Sequence, residues 1–178
     1  MAVIDVLAER NADFASHQFS PDLTISPTLK TMIIGCVDPR VDPTRVLGLE
    51  LGEAVVIRNV GGRVTPATLK TMVMLGKVGQ ANGGGPGVGW NLVVLHHTDC
   101  GMTDLAAFPD LLAEYFEILP DQLEAKAVSD PIASVKVDVA VLKQTPFLPG
   151  GFLVSGLVYD VVTGRIETIV APASLRTE

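Results

Sequence analysis

Two short motifs carry the side chains that soft divalent metals prefer. Residues 36–40 read CVDPR, the pattern C-x-D-x-R, and residues 97–100 read HTDC, the pattern H-x-x-C. Thiolate and imidazole ligands suit zinc, whereas magnesium and calcium favour shells of oxygen. Cys36, His97 and Cys100 are therefore predicted to hold one Zn²⁺. Three protein ligands leave a fourth position to water, as in catalytic zinc sites.

Each of these residues also has an ordinary interpretation. A free cysteine packs like a small hydrophobic residue, and a lone histidine at a strand end is often only hydrogen-bonded. A disulfide between Cys36 and Cys100 is not expected in a reducing compartment. The two motifs together favour the metal site, because H-x-x-C supplies two ligands from one turn while Cys36 arrives from elsewhere in the fold.

Asp38 and Arg40 follow the first cysteine closely enough to act beside it. A carboxylate at position 38 could accept a hydrogen bond from water at the metal, and Arg40 could keep it ionised and oriented. We interpret the two residues as a catalytic pair. The alternative is a surface ion pair, which contributes little to stability. Asp99 is interpreted as a cap of the turn after His97.

The elements that must position these motifs follow from the hydrophobic pattern. Short apolar runs predict buried strands, and Thr65–Pro66 and Asp130–Pro131 predict helix starts. A Thr163–Gly164 turn between two β-rich segments predicts a hairpin. The predicted strands are residues 29–36, 54–58, 91–96, 152–159 and 165–170.

Strands that alternate with helices define the fold class. We predict an α/β fold with a mostly parallel central sheet of about five strands, an antiparallel edge strand and flanking helices. In such sheets ligands bind beyond the carboxyl ends of the strands. Both motifs stand at carboxyl ends, so they meet in one crevice if the first and third strands are neighbours.

Composition restricts the class of protein and its partners. The chain has 178 residues, of which 48% are hydrophobic, and we expect one domain over 1–178 with residues 1–28 as an N-terminal helical arm. A net charge of -7 without a basic cluster argues against nucleic acid or an anionic membrane as partner. The sequence has no long apolar span and no secretion signal, so we expect a cytoplasmic protein. The glycine-rich stretch 83–89 is interpreted as a surface loop, since it precedes a strand and lacks the lysine of a phosphate loop.

The sequence resembles the β-class carbonic anhydrases over most of its length, from about residue 32 to residue 170. The matching segments are CVDPR at 36–40, VIRNVGG at 56–62, TPATLKTM at 65–72, LHHTDCGM at 95–102 and VSGLVYDVVTGRIET at 154–168.

This resemblance implies zinc bound by Cys36, His97 and Cys100, with Asp38 and Arg40 as the catalytic pair. It implies reversible hydration of carbon dioxide to bicarbonate by a metal-bound hydroxide. It also implies a homodimer or dimer-based oligomer, with an N-terminal helix that reaches across the partner. Pro39 departs from the family, where a small serine or alanine is frequent.

Three alternatives stay open at this stage. The same site could hydrolyse carbonyl sulfide or carbon disulfide, which are also small linear molecules attacked at carbon. The chain could instead be a non-catalytic, zinc-stabilised domain that binds bicarbonate. Finally, Asp38 could turn inward and become the fourth zinc ligand, which would close the site.

Overall fold

A computed structural model describes residues 1–85, 87 and 89–176 of the chain. The predicted glycine-rich loop includes Pro86 and Val88, which lie outside the described residues. The strands are β1 (Thr31–Cys36), β2 (Ala54–Asn59), β3 (Asn91–His97), β4 (Leu153–Asp160) and β5 (Arg165–Ser174). The helices are α1 (Val3–His17), α2 (Pro43–Val46), α3 (Pro66–Ala81), α4 (Pro109–Phe116) and α5 (Pro131–Gln144).

The five strands form one sheet in the order β2-β1-β3-β4-β5. The first four strands are parallel and β5 is antiparallel to β4, so the predicted fold class is confirmed. The connection after β1 leads to β2 on one side, whereas β3 lies on the other side. The carboxyl ends of β1 and β3 therefore flank the point where the winding direction reverses, which is the usual ligand site of such sheets.

The strands that carry the two motifs are buried on both faces. Met32, Ile33 and Ile34 of β1 are at most 2% exposed. Leu92 and Val94 of β3 are fully buried. Continuous apolar runs are typical of central parallel strands covered by helices on both sides, and such strands give the residues at their ends a fixed place.

The long helices that cover the sheet begin at residues that satisfy free backbone amides. The Thr65 hydroxyl accepts a hydrogen bond from the Thr68 amide at the start of α3. Asp130 accepts hydrogen bonds from two amides at the start of α5. Each helix has proline as its first residue, as the sequence predicts.

The structure differs from the sequence prediction at two places. The N-terminal helix ends at His17, and residues 18–30 contain only turns and irregular backbone. A 3₁₀ helix over Pro120–Lys126 has no counterpart among the predicted elements. The segment after Cys100 agrees with the helical pattern of the sequence: it is a 3₁₀ helix over Gly101–Ala107, and Pro109 then starts α4. None of the described helices is long and apolar enough to cross a bilayer.

A buried ion pair connects the loop after β2 to α5. Arg63 and Asp138 are each 1% exposed, and the Arg63 Nε donates to Asp138 Oδ2 at 2.8 Å. Asp138 also accepts from the Val64 amide, and the His96 ring lies 3.3 Å away. Burial alone would raise the pKa of Asp138, but His96 and Arg63 outweigh it and hold that pKa below its usual value. The carboxylate therefore stays charged in the core.

Removing one partner of this pair should destabilise the fold strongly. Asp138→Asn leaves the Arg63 charge buried without its counterion, and we expect a loss of about 3–5 kcal/mol in the free energy of unfolding. Urea unfolding at neutral pH measures it, with the exposed Asp121→Asn as control. The carboxylate's contribution is present above the unfolded pKa of about 4 and is lost as the pH falls below it. A loss below 1 kcal/mol would contradict a structural role for the pair.

Candidate metal centre

The three predicted ligands converge between the ends of β1 and β3. One ligand atom from each of Cys36, His97 and Cys100 lies within 4.8 Å of the other two. The two sulfur atoms are 3.9 Å apart. Two sulfurs on one tetrahedral zinc, each about 2.3 Å from it, lie about 3.8 Å apart. The spacing of the thiols therefore fits such an ion.

His97 presents the correct nitrogen to this cluster. Its Nδ1 lies 2.8 Å from the Thr98 carbonyl oxygen, to which it can only donate, so Nδ1 carries the ring proton. Its Nε2 is buried and has no hydrogen-bond partner among the described residues. A metal ion would satisfy this nitrogen, and a carbonyl that fixes the tautomer of the ring is typical of metal-binding histidines.

The electrostatics of the cluster favour a cation. The hydrogen bond from Cys100 is the main reason that the pKa of Cys36 falls to about 4, with further help from His97 and from the Asp38 and Gly61 amides. The Cys36 thiolate in turn raises the pKa of Cys100. Burial lowers the pKa of His97, but Cys36, the Thr98 carbonyl and Asp38 together outweigh it, and the net shift is upward. A divalent metal that replaces the shared protons would relieve this crowding of anionic sulfur.

Asp38 forms an ion pair with Arg40, as the sequence predicts. Nη2 of Arg40 donates to Asp38 Oδ2 at 2.7 Å, and Nε lies 3.1 and 3.2 Å from the two carboxylate oxygens. The Arg40 amide also donates to Asp38 Oδ1. The Arg40 side chain is the main reason that the pKa of Asp38 falls to about 2. Asp38 is thus an ionised carboxylate turned toward Arg40, and it is not part of the three-residue cluster.

The Asp99 side chain binds Arg40, whereas the sequence predicts that it caps the turn after His97. Its carboxylate accepts a hydrogen bond from Arg40 Nη1 at 2.7 Å, and its carbonyl oxygen accepts one from Nη2 at 2.8 Å. Asp99 therefore connects the second motif to the first rather than capping its own turn with its side chain. The contact spans 59 positions of sequence, and no local pattern predicts it.

Two further residues that support the site have no predicted role. Arg58 donates to the carbonyl oxygens of Cys36 and Asp38 and forms an ion pair with Asp42. Asn59 accepts from the Arg63 amide and donates back to the Arg63 carbonyl oxygen. Arg58 thereby holds the C-x-D-x-R turn, and Asn59 closes the loop that follows β2. Their position at the carboxyl end of β2, shortly before two glycines and within the matching segment at 56–62, is the sequence signal for them.

Gly62 allows that loop to pack against the first ligand. Its φ of +65° lies in the left-handed region, and a Cβ on it would lie 2.9 Å from the Cys36 amide nitrogen. Any side chain at this position would push against the backbone of β1. Glycine is therefore required by close approach as well as by conformation.

Open space adjoins the cluster on its solvent side. A cleft of about 390 Å³ is lined by Asp38, Arg40, Asp99, Cys100, Gly101, Thr103 and Asp104. A smaller cavity of about 70 Å³ lies behind the ligands, beside Arg63 and His96. His96 is 3% exposed and contacts the Ser134 hydroxyl at 2.8 Å, so its side chain belongs to the core. A larger cleft, of about 580 Å³, lies at the other end of the sheet between Met72 and Phe147.

Comparison with known proteins gives consistent matches. The family model described as "Carbonic anhydrase" matches residues 31–166. β-Carbonic anhydrase 1 of Mycobacterium tuberculosis is 29% identical over 171 residues, which cover 95% of this chain and 99% of that protein. The crystal structure of carbonic anhydrase from Streptococcus mutans has 31% identity and a TM-score of 0.72, and the match covers 95% of this chain and 98% of that one. A carbon disulfide hydrolase of Acidianus sp. is 26% identical, with 92% of this chain and 87% of that protein covered.

Three observations indicate the same family. They are the strand order of the sheet, the Cys-His-Cys cluster at its switch point and the matches to known proteins. The chain belongs to the β-carbonic anhydrase family.

Loss of one thiol should abolish metal binding, whereas loss of the Asp38 charge should not. We expect Cys36→Ala to hold close to no metal after dialysis, because two remaining ligands bind weakly. Asp38→Asn should keep the wild-type metal content, since its carboxylate faces Arg40. Elemental analysis of the purified variants measures both. Equal metal loss in the two variants would contradict the ligand set.

Proposed function

We propose that the protein catalyses the reversible hydration of carbon dioxide to bicarbonate with one zinc ion held by Cys36, His97 and Cys100. The observation that carries this proposal is the cluster of three metal-ligating atoms beside an Asp38 carboxylate that is held away from it. Family membership supports the reaction class. Two thiolates and one imidazole are the donor set that suits zinc.

The metal has a limited and definable task in this proposal. When bound, zinc lowers the pKa of a coordinated water to about 7, so that a hydroxide nucleophile is available near neutral pH. Two thiolates formally cancel the charge of the ion, so we expect the surrounding residues to contribute substantially to the orientation of the reactants.

Asp38 is the residue that orients the nucleophile. As an ionised carboxylate with a pKa of about 2, it can only accept hydrogen bonds. It accepts one from the attacking water or hydroxide, which directs a free lone pair at the carbon of carbon dioxide. Arg40 keeps the carboxylate ionised and in place through the paired contacts between its guanidinium and Asp38.

The cleft beside Asp38 and Cys100 provides the approach for a small substrate. Carbon dioxide is apolar and linear, and Val37, directly after Cys36, has an exposed apolar side chain. Bicarbonate, the anionic product, would leave past Arg40 toward solvent.

Asp38→Asn should reduce turnover without removing zinc. The neutral amide can donate as well as accept, so it no longer fixes the orientation of the nucleophile, and we expect kcat/KM for carbon dioxide hydration to fall on the order of 10²-fold. Stopped-flow hydration assays on samples of known zinc content measure it. Because the pKa of Asp38 is about 2, the wild-type profile between pH 6 and 9 should not report its titration.

A matched variant makes this comparison specific. Asp121→Asn makes the same change from carboxylate to amide at an exposed residue of the Pro120–Lys126 segment, and its activity should equal that of the wild type. Full zinc with no hydration activity in the wild-type protein from pH 6 to 9 would instead favour the non-catalytic, bicarbonate-binding alternative.

A second candidate substrate is carbon disulfide. Two relatives, from Acidianus sp. and Saccharolobus solfataricus, are named as carbon disulfide hydrolases and are 26% and 27% identical to this chain. The same nucleophile would attack the same linear geometry. Parallel assays for bicarbonate and for released sulfide on one zinc-loaded sample distinguish the two substrates, and sulfide release that exceeds carbon dioxide hydration would favour the hydrolase.

We also propose that the protein acts as a homodimer or a dimer-based oligomer. No residue of α1 is buried, and its Val3, Ile4 and Leu7 are 75%, 68% and 53% exposed. Adjacent apolar side chains on one helix face are typical of a surface that another chain covers. We favour a second copy of this chain as the partner that covers α1, with α1 of each copy lying across the other.

Charge on this face of α1 should weaken the dimer. Leu7→Glu places a carboxylate where an apolar contact is expected, and we expect the dimer dissociation constant to rise at least about 10-fold, from the loss of roughly 1.5–3 kcal/mol of buried apolar contact. Sedimentation equilibrium measures it, with the polar change Arg10→Gln as control. A wild-type protein that stays monomeric at micromolar concentration would contradict the proposal.

A further inference from the structure

The Arg40 guanidinium binds two residues, one that follows β1 and one that follows β3. One edge of its guanidinium faces the Asp38 carboxylate, which follows β1. Nη1 and Nη2 also donate to the carboxylate and the carbonyl oxygen of Asp99, which follows β3. The Arg40 side chain is 49% exposed, so packing contributes little to its position. Its hydrogen bonds therefore decide where it stays.

Asp99 has an exposed side chain but a special backbone position. It lies between the proposed ligands His97 and Cys100, and its backbone has a φ of +53°, in the left-handed region. Among residues with a side chain, aspartate and asparagine tolerate this conformation best. The same residue thus offers a carbonyl oxygen and a carboxylate oxygen to one guanidinium, from a turn that metal binding would make still more rigid.

The contacts with Arg40 oppose any movement of Asp38 toward the cluster. The carboxylate lies against Arg40 in this structure, and a turn inward would let it compete for the free position at the metal. Any residue that fixes Arg40 therefore influences which position is occupied. Asp99 is the group that binds the other edge of the Arg40 guanidinium, through Nη1 and Nη2.

We propose that Asp99 is a positioning residue that pins Arg40 against Asp38 and thereby keeps the fourth metal position free for small ligands. The inference rests on the proposed metal site but not on carbon dioxide as the substrate. It adds a third member, drawn from the H-x-x-C motif, to the pair formed by Asp38 and Arg40.

The substitution Asp99→Asn tests the contribution of the negative charge at position 99 separately from that of side-chain shape and backbone. Asp99→Asn keeps the side-chain shape, the tolerance for a left-handed backbone and the carbonyl contact, and it removes only the negative charge. Simple electrostatics predicts that loss of a negative charge near the site tightens anion binding. We expect the opposite sign, because an Arg40 that is held less tightly lets Asp38 compete for the metal.

Thiocyanate binding to the cobalt-substituted protein tests this sign. The visible absorption of cobalt changes when thiocyanate takes the free position, so titration gives its dissociation constant. We expect Asp99→Asn to raise that constant about two- to fivefold, the range of a partly exposed ion pair. Asp104→Asn, which neutralises another carboxylate of the same cleft, should leave it unchanged or lower it.

A double-mutant cycle identifies the path of the effect. In an Arg40→Ala background, Asp99→Asn should no longer weaken thiocyanate binding, because the residue through which it acts is absent. As a readout without metal, hydrogen exchange of the Arg40 Nε–H, followed by ¹⁵N NMR, should be faster in Asp99→Asn than in the wild type.

Three results would overturn the proposal. These are an unchanged or tighter thiocyanate constant in Asp99→Asn, a full effect that persists without Arg40, and unchanged exchange at the Arg40 Nε–H. The outcome is separable from the proposed function. A protein that fails to hydrate carbon dioxide can still show the Asp99-dependent thiocyanate binding, and an active protein can lack it.

Discussion

The structure depends on one constraint, namely that β1 and β3 are hydrogen-bonded neighbours whose carboxyl ends lie at the switch point of the sheet. This pairing brings Cys36 to the His97–Cys100 turn across more than 60 positions of sequence. Because both strands are buried on both faces, their ends cannot shift independently. The sulfur atoms therefore stand 3.9 Å apart without a covalent bond to hold them.

Charged side chains fix the segments around the cluster at two depths, one near the solvent and one in the core. Near the solvent, Arg40 and Arg58 bind the turn after β1 through carboxylates and carbonyl oxygens. In the core, Arg63 and Asp138 connect the loop that contains Gly62 to α5. The loop is thereby pressed against the Cys36 backbone. An arrangement in which rigid neighbours fix the reacting groups is what catalysis by orientation requires.

Much of this fold follows from local sequence signals. Apolar runs predict β1, β2 and β3 to within about two residues, and Thr65 and Asp130 mark helix starts because their side chains satisfy backbone amides. The contact between Asp38 and Arg40 is also local, at a separation of two residues. Composition and periodicity, together with the family resemblance, are sufficient for these features.

The features that the sequence does not predict are those set by distant contacts. Local sequence rules identify Asp99 only as a turn residue. Its contact with Arg40 depends on the pairing of β1 with β3, which a local rule does not include. Arg58 has the same limitation, since the carbonyl oxygens that it binds, those of Cys36 and Asp38, lie on another segment. The Pro120–Lys126 helix is short and lacks a clear apolar period, so packing rather than propensity determines it.

X-ray absorption at the zinc edge, on protein purified without added metal and assayed for carbon dioxide hydration in the same sample, tests the central claim most directly. Two sulfur scatterers at about 2.3 Å and two nitrogen or oxygen scatterers at about 2.0–2.2 Å are predicted, with one of the light atoms replaced when thiocyanate is added. A sample without zinc, or one whose zinc has a number of sulfur neighbours other than two, would contradict the proposed metal centre.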